Sequence, residues 1–206
     1  MPEQSYTAEE LWQRFREEFR KGLEEPCKGT SEERLRTAWN RGEKARTQYY
    51  GGCLLPRTAI GVGMELHYEQ YLYQNHRMAA DWIMVDRRTS EPRIVIESEN
   101  QVEKVDGSEI PDLCRCTVPV KVLITCSVWR DGQIIEQRLE RWRSLIRQYN
   151  QRADEQGIFG TIIGEWFPQW EPKGTLTFHC YSLVLDSSDE SWTLESPLFQ
   201  RYISDG

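Results

Sequence analysis

Apolar positions along the chain change their spacing several times, and each change marks an element. Thr7-Ala8-Glu9-Glu10 has the form of a capping box. Leu11, Phe15, Phe19 and Leu23 then recur every fourth residue, which predicts one helix with a single buried stripe, stopped by Pro26 and Gly29. Ser31 can cap a second helix carrying Leu35, Ala38 and Trp39, with Arg34, Arg36, Arg41, Lys44 and Arg46 on its other faces. The glycine-rich stretch 51–63 reads as loop, and Met64, Leu66, Tyr68, Tyr71 and Leu72 suggest a third helix over about 64–75. Beyond it, 79–86 and 93–99 read as strands around the turn-rich RRTSEP, a hairpin signal. Ser108 can cap a short helix to about Arg115 with Pro111 in its first turn. The nearly continuous apolar run 120–128 predicts a strand covered on both faces. Ile135, Leu139, Trp142, Ile146 and Tyr149 predict a helix over about 133–150, and 160–166 and 175–184 predict two more strands. From Asp186 the chain is acidic and reads as a peripheral tail.

These elements predict an α/β fold: a mixed central sheet flanked by helices, with an N-terminal helical extension over 1–50 and the α/β domain over 51–206. A chain of 206 residues with eight Trp can bury a sizeable core. No apolar run reaches the length of a membrane span and the first residues lack the form of a signal peptide, so the expectation is a soluble, cytoplasmic protein with no membrane partner. The net charge of −7 excludes a uniformly basic nucleic-acid coat but leaves room for a local basic patch. The six cysteines form no C-x-x-C pair, which reads as reduced thiols filling the core.

The chemistry concentrates in 81–99. If the two strands pair antiparallel, directly opposed residues have a constant sum of positions. A sum of 178 sets Asp81 opposite Glu97, and a sum of 180 sets it opposite Glu99. Either register puts all three carboxylates on one face, the two Glu about 7 Å apart along the strand. Like charges so placed repel, and burial adds to the cost, so a compensating cation is expected. Hard oxygen donors suit Mg²⁺, Mn²⁺ or Ca²⁺ rather than zinc. Solvation, or pairing with Arg87, Arg88 and Arg93, is the alternative fate for these acids.

Asp81, the run Ile94-Val95-Ile96-Glu97-Ser98-Glu99-Asn100, Glu109-Ile110 and the strand Lys121–Thr125 resemble the PD-(D/E)XK nuclease superfamily, which has the restriction-endonuclease-like fold. The resemblance covers roughly residues 60–130. It implies a core of helix, three-stranded meander, helix and strand. One meander strand is missing from the sequence reading and has to come from 51–63 or from beyond 128. It further implies that Asp81 and Glu97 bind the metal, Mg²⁺ or Mn²⁺, and that Glu99 stands where most members have Lys. Lys121 or Lys104 can supply the positive group instead, and spacing selects neither. An additional family Glu comes from the preceding helix, where Glu65 and Glu69 are candidates and Glu65 is preferred. Glu109 can hydrogen-bond water at such an ion, or is simply an acid in a favourable first turn.

The expected activity is therefore divalent-metal-dependent hydrolysis of phosphodiester bonds in nucleic acid, DNA in preference to RNA. Asp81, Glu97, Glu99 and Glu65 are the catalytic candidates, and the first three are the metal ligands. Arg41, Lys44, Arg46 and Arg57 are the candidate phosphate contacts, unless they only solvate a helix face. Tyr49 and Tyr50 can pack in the core or stack on bases. A homodimer is compatible with cutting both strands. The alternative is a nuclease-like fold with a degraded site, acting as a nucleic-acid- or protein-binding module. A further reading is a protein-binding regulator that uses the Trp-rich C-terminal half.

Overall fold

The computed structural model describes residues 6–24, 38, 43–73, 76–127, 132–150, 157–167, 175–185 and 192–202. Helix α1 (Ala8–Glu24) starts as its capping box dictates: the Thr7 amide donates to Glu10 Oε2 at 2.9 Å and the Glu10 amide to Thr7 Oγ1 at 3.2 Å. Its stripe of Leu11, Phe15, Phe19 and Leu23 is buried, with Trp12 stacked on Phe15. These side chains join the same core cluster as the sheet, so α1 packs as part of the α/β body. Of the expected second helix, Ala38 is helical and buried and α2 (Glu43–Tyr49) is formed. Arg34, Arg36, Trp39 and Arg41 lie outside the described residues.

The stretch 51–63 is not a loop. A π-helical turn, Tyr50–Leu54, runs directly into α3 (Leu55–Val62). Pro56 sits in the first turn of α3, a position that proline's fixed φ suits. Leu54, Leu55, Ala59 and Val62 are buried, and Gly63, at φ 86°, ends the helix in the left-handed conformation. Gly51 permits a close approach, because a Cβ there would lie 3.1 Å from Trp82 Nε1. Tyr49 and Tyr50 are buried core residues, not an exposed stacking surface.

The expected helix over 64–75 is a strand, β1 (Met64–Tyr73). Met64, Leu66 and Tyr68 alternate with Glu65, His67 and Glu69, a period of two that pairing against a neighbour makes decisive. The third strand expected from 51–63 or from beyond 128 lies in neither place: β1 occupies the segment read as a helix, and with the two strands that follow it makes a meander. β2 (His76–Asp86) pairs antiparallel with β1, and β3 (Pro92–Ser98) antiparallel with β2. Asp86 builds the β2–β3 turn by accepting from the Arg88 and Thr89 amides at 2.8 and 3.2 Å, which holds its carboxyl below the ordinary range. A continuous helical crossover follows, made of α4 (Val102–Lys104), a π-helical turn at Val105–Glu109, and α5 (Ile110–Arg115). It leads to β4 (Val120–Ser127), parallel to β3. Helix α6 (Gly132–Asn150) crosses to β5 (Ile158–Phe167), parallel to β4. β6 (Thr175–Val184) and β7 (Thr193–Tyr202) add antiparallel.

The sheet order is thus β1 to β7 in sequence order. Of the acidic tail, Thr193–Tyr202 forms an edge strand, a position that tolerates Pro197, and residues 186–191 and 203–206 lie outside the described residues. One face packs on α1, the π-helical turn and α3 through Ile94, Ile96, Val122, Ile124 and Phe178. The other packs on α5 and α6 through Val95, Leu123, Phe159 and Trp142. The two crossovers lie in a layer opposite the N-terminal helices, giving helices on both faces of the sheet. Trp142 ties α6 to the first crossover by donating from Nε1 to Asp106 Oδ1 at 2.8 Å, and Asp106 also accepts from Arg141. No described helix is long and apolar enough to cross a membrane.

Candidate functional site

The ladder between β2 and β3 has Trp82 opposite Ile96, Ile83 opposite Val95 and Met84 opposite Ile94. These pairs sum to 178, which places Asp81 beside Glu97 rather than beside Glu99. The last ladder pair is Trp82–Ile96, and side chains take over beyond it. The Ser98 amide donates to Asp81 Oδ2 at 2.9 Å, and the Asp81 amide approaches Glu97 Oε2 at 3.4 Å. Asp81 and Glu97 are locked side by side at the carboxyl end of β3, next to the parallel strand β4. In α/β sheets this end is where ligands bind.

Burial does most to the electrostatics. Glu97 is only 7% exposed. Burial first, then the charges of Asp81 and Glu109, push its carboxyl up to about 9 against the pull of the Asp81 amide. Glu109, at the junction of the π-helical turn and α5, is also raised, by burial first. The Ser108 hydroxyl opposes that shift, and Asp81, Glu99 and Asp112 add to it. Asp112 is paired with Arg115 at 2.5 Å. The arginines weighed as partners for these acids serve elsewhere. Arg87 Nε donates to the Met64 carbonyl at 3.2 Å and Arg93 to the Tyr6 carbonyl at 2.9 Å, while Arg88 and Arg93 stabilise Asp86 at the turn end of the hairpin.

Glu99 is buried but turned to other partners. Its Oε1 accepts from the Asn100 and Gln101 amides at 2.6 and 2.7 Å, and Lys104 Nζ lies 3.3 Å from Oε2. The carboxylate therefore satisfies amides that open the crossover helix, as a capping residue does. Among the described residues no group of three or more His, Cys, Asp or Glu is gathered so as to hold a metal ion. The pair Asp81–Glu97 is assembled; the trio with Glu99 is not.

Glu65 is not brought to this site. It lies on β1 opposite Val85, largely exposed, 3.5 Å from His67 Nε2. A strand rises about 3.3 Å per residue, which sets Glu65 roughly 13 Å along β1 from the level of Asp81. The helical reasoning that favoured it fails with the helix. Glu69 falls between the pairs Tyr68–Trp82 and Gln70–Ala80, opposite Asp81 in register.

Of the candidate phosphate contacts, Arg41 lies outside the described residues, Lys44 on α2 is exposed, and Arg46 and Arg57 are partly buried. The Arg46 charge reaches Tyr50 and Cys126, and Cys126 is near the carboxyl end of β4. Arg46 thus stands at the same end of the sheet as the acids but on its opposite face, since Tyr50 and Cys126 belong to the α1–α3 core and Glu97 lies with Val95 on the α5–α6 side.

Sequence reasoning left Lys121 and Lys104 undistinguished, and the structure separates them. Lys104 is half exposed and bound to Glu99. Lys121 is fully buried on β4, beside Val95 of β3. One pair was missed altogether: His179 Nε2 and Glu165 Oε2 lie 3.0 Å apart across β5 and β6, and Glu165 Oε1 is buried without a hydrogen-bond partner. Both strands are legible in the sequence. The register that sets Ile163 opposite His179 is not, because the segment joining them does not fix it.

The donors suit a hard divalent cation. Two carboxylates meet in a buried place, and one of them keeps a proton at neutral pH that an ion can replace. Comparison with protein-family models, with curated proteins and with solved structures gives no match.

Proposed function

We propose that the protein is a divalent-metal-dependent nuclease that hydrolyses phosphodiester bonds in nucleic acid, DNA in preference to RNA. The observation that carries this reading is the pairing of Asp81 with the buried Glu97 at the carboxyl end of β3. The order of elements supports it: helix α3, the meander β1–β3, a helical crossover and the parallel strand β4 follow the succession implied by the resemblance to the PD-(D/E)XK superfamily. Asp81 and Glu97 would hold Mg²⁺ or Mn²⁺. When bound, the ion supplies Lewis acidity toward a phosphodiester oxygen and toward water. Glu109, half-buried and already inclined to keep a proton, is placed to exchange one at its carboxylate with water entering the site. Arg46 and Lys44, on α2 at that end of the sheet, remain the candidate phosphate contacts.

Plasmid nicking with Mn²⁺ or Mg²⁺ tests this reading. Asp81→Ala and Glu97→Ala should abolish cleavage while circular dichroism shows an intact fold; cleavage at the parental rate in either would refute it. The position of Glu99 favours a second reading, a binding module with a degraded site, because a carboxylate tied to two amides stands where the family carries Lys. Calorimetric titration with Mn²⁺ separates the two: ion binding with nicking supports the nuclease, and neither supports the module.

A further inference from the structure

Lys121 is among the largest fully buried side chains of the protein. Taking an ammonium out of water costs several kcal/mol, so its surroundings must return that energy as negative charge. The register places Glu97 among its neighbours. Lys121 is beside Val95 and Leu123 is beside Glu97, so Lys121 lies one strand over from Glu97 and one pleat repeat behind it. Val95 and Leu123 belong to the core on the α5–α6 side of the sheet, which puts Lys121 and Glu97 on that same face. An inter-strand spacing of about 4.8 Å and a two-residue rise of about 6.6 Å set such diagonal neighbours roughly 8 Å apart, within reach of a long side chain. The Cys116 thiol responds to both, lowered by Lys121 and raised by Glu97, as expected of three groups sharing one buried region.

We propose that Lys121 is a positioning residue of the acidic face, its buried ammonium offsetting the charge of Asp81, and that which Glu97 takes on when an ion displaces its proton, and so setting how tightly the pair takes a divalent cation. This rests on the metal-site reading above. Full burial keeps the ammonium from touching a nucleic acid directly, so Lys121 acts through the carboxylates. An ion entering between Asp81 and Glu97 meets a positive charge already present, and the site binds it more weakly than two bare carboxylates would.

The test compares Mn²⁺ affinity by calorimetry in the full chain, with nicking measured alongside. Lys121→Met removes the charge at similar volume and should tighten Mn²⁺ binding by about tenfold or more, while nicking falls because an ion more fully neutralised by its carboxylates polarises phosphate and water less. Lys121→Arg keeps the charge and should keep the parental affinity within about threefold. Merely structural packing predicts the opposite order, with the loosened Met variant binding the ion no better than the parent. An unchanged or weaker affinity in Lys121→Met, or full nicking by it, overturns the proposal. If the Met variant does not fold, the parent itself decides: with lysine side chains isotopically labelled, the Lys121 ε-methylene resonance should move on titration with diamagnetic Mg²⁺, and a resonance that stays fixed at saturation overturns it. A parent that binds Mn²⁺ but nicks nothing defeats the nuclease reading, yet leaves Lys121 judged by affinity and resonance. A parent that binds no ion defeats both.

Discussion

Substituting Gln for Glu97 should stabilise the metal-free protein at neutral pH and flatten its dependence on pH. In the unfolded chain this carboxyl has the ordinary value of 4.5; in the fold it is pushed up to about 9. Between those values the folded state holds a proton that the unfolded state has released. A group raised in this way contributes stability that is fully present below the unfolded value and is lost as pH rises toward the folded one. Each unit is worth about 1.4 kcal/mol, so stability should fall by roughly 3 kcal/mol from about pH 5 to about pH 7 through this one group. With 7% exposure, solvent screening takes little from that figure. Gln keeps the shape, can still accept from the Asp81 amide and can donate to a neighbouring carboxylate, but it does not titrate. Urea denaturation of parent and variant at several pH values between about 5 and 8.5, in chelator, reads the difference of slopes. The parent should lose stability faster with rising pH, and saturating Mn²⁺ should return much of that loss to the parent but not to the variant. Equal slopes would refute the burial and coupling assigned to Glu97.

Further expectations concern the scaffold that holds the pair. Gly160→Ala sets a Cβ 2.2 Å from Trp12 Cη2; it should destabilise by about 1–3 kcal/mol or more in thermal melts, with partial recovery when Trp12→Leu is added. Trp142→Phe removes the indole bond to Asp106 and should cost roughly 1.5–3 kcal/mol, since the acceptor is charged; an unchanged melting temperature would show that this bond does not anchor α6. Phe15→Ala, in the stripe of α1, should cost about 3–5 kcal/mol and lower the urea midpoint of the whole chain in one transition; a separate early transition would show α1 unfolding on its own.

The features carried by local chemistry could be read along the chain. The capping box and stripe of α1, the stepping of Ile135, Leu139, Trp142 and Ile146 in α6, and the apolar run of β4 announce themselves. The hairpin was legible too, and with it the neighbourhood of Asp81 and Glu97, because a short turn leaves few registers. Where two periods compete, local pattern loses. Met64 to Tyr73 carries aromatics that satisfy a helical or an extended reading, and only β2 alongside settles it as a strand, carrying Glu65 away from the acids. Gly51, Gly52 and Pro56 look like loop until the close fit against Trp82 shows why glycine serves inside a helical segment.

Residue order alone thus settled which segments are amphipathic, where they begin, and that two acids on facing strands share a side of the sheet; these follow from covalent spacing and the period of each element. Tertiary structure decided the rest. It turned Glu99 onto the amides of the crossover, buried Lys121 behind Glu97, paired His179 with Glu165, and moved the carboxyl of Glu97. Each of these depends on burial or on strand pairing between segments distant along the chain, and neither is encoded in the spacing of neighbours.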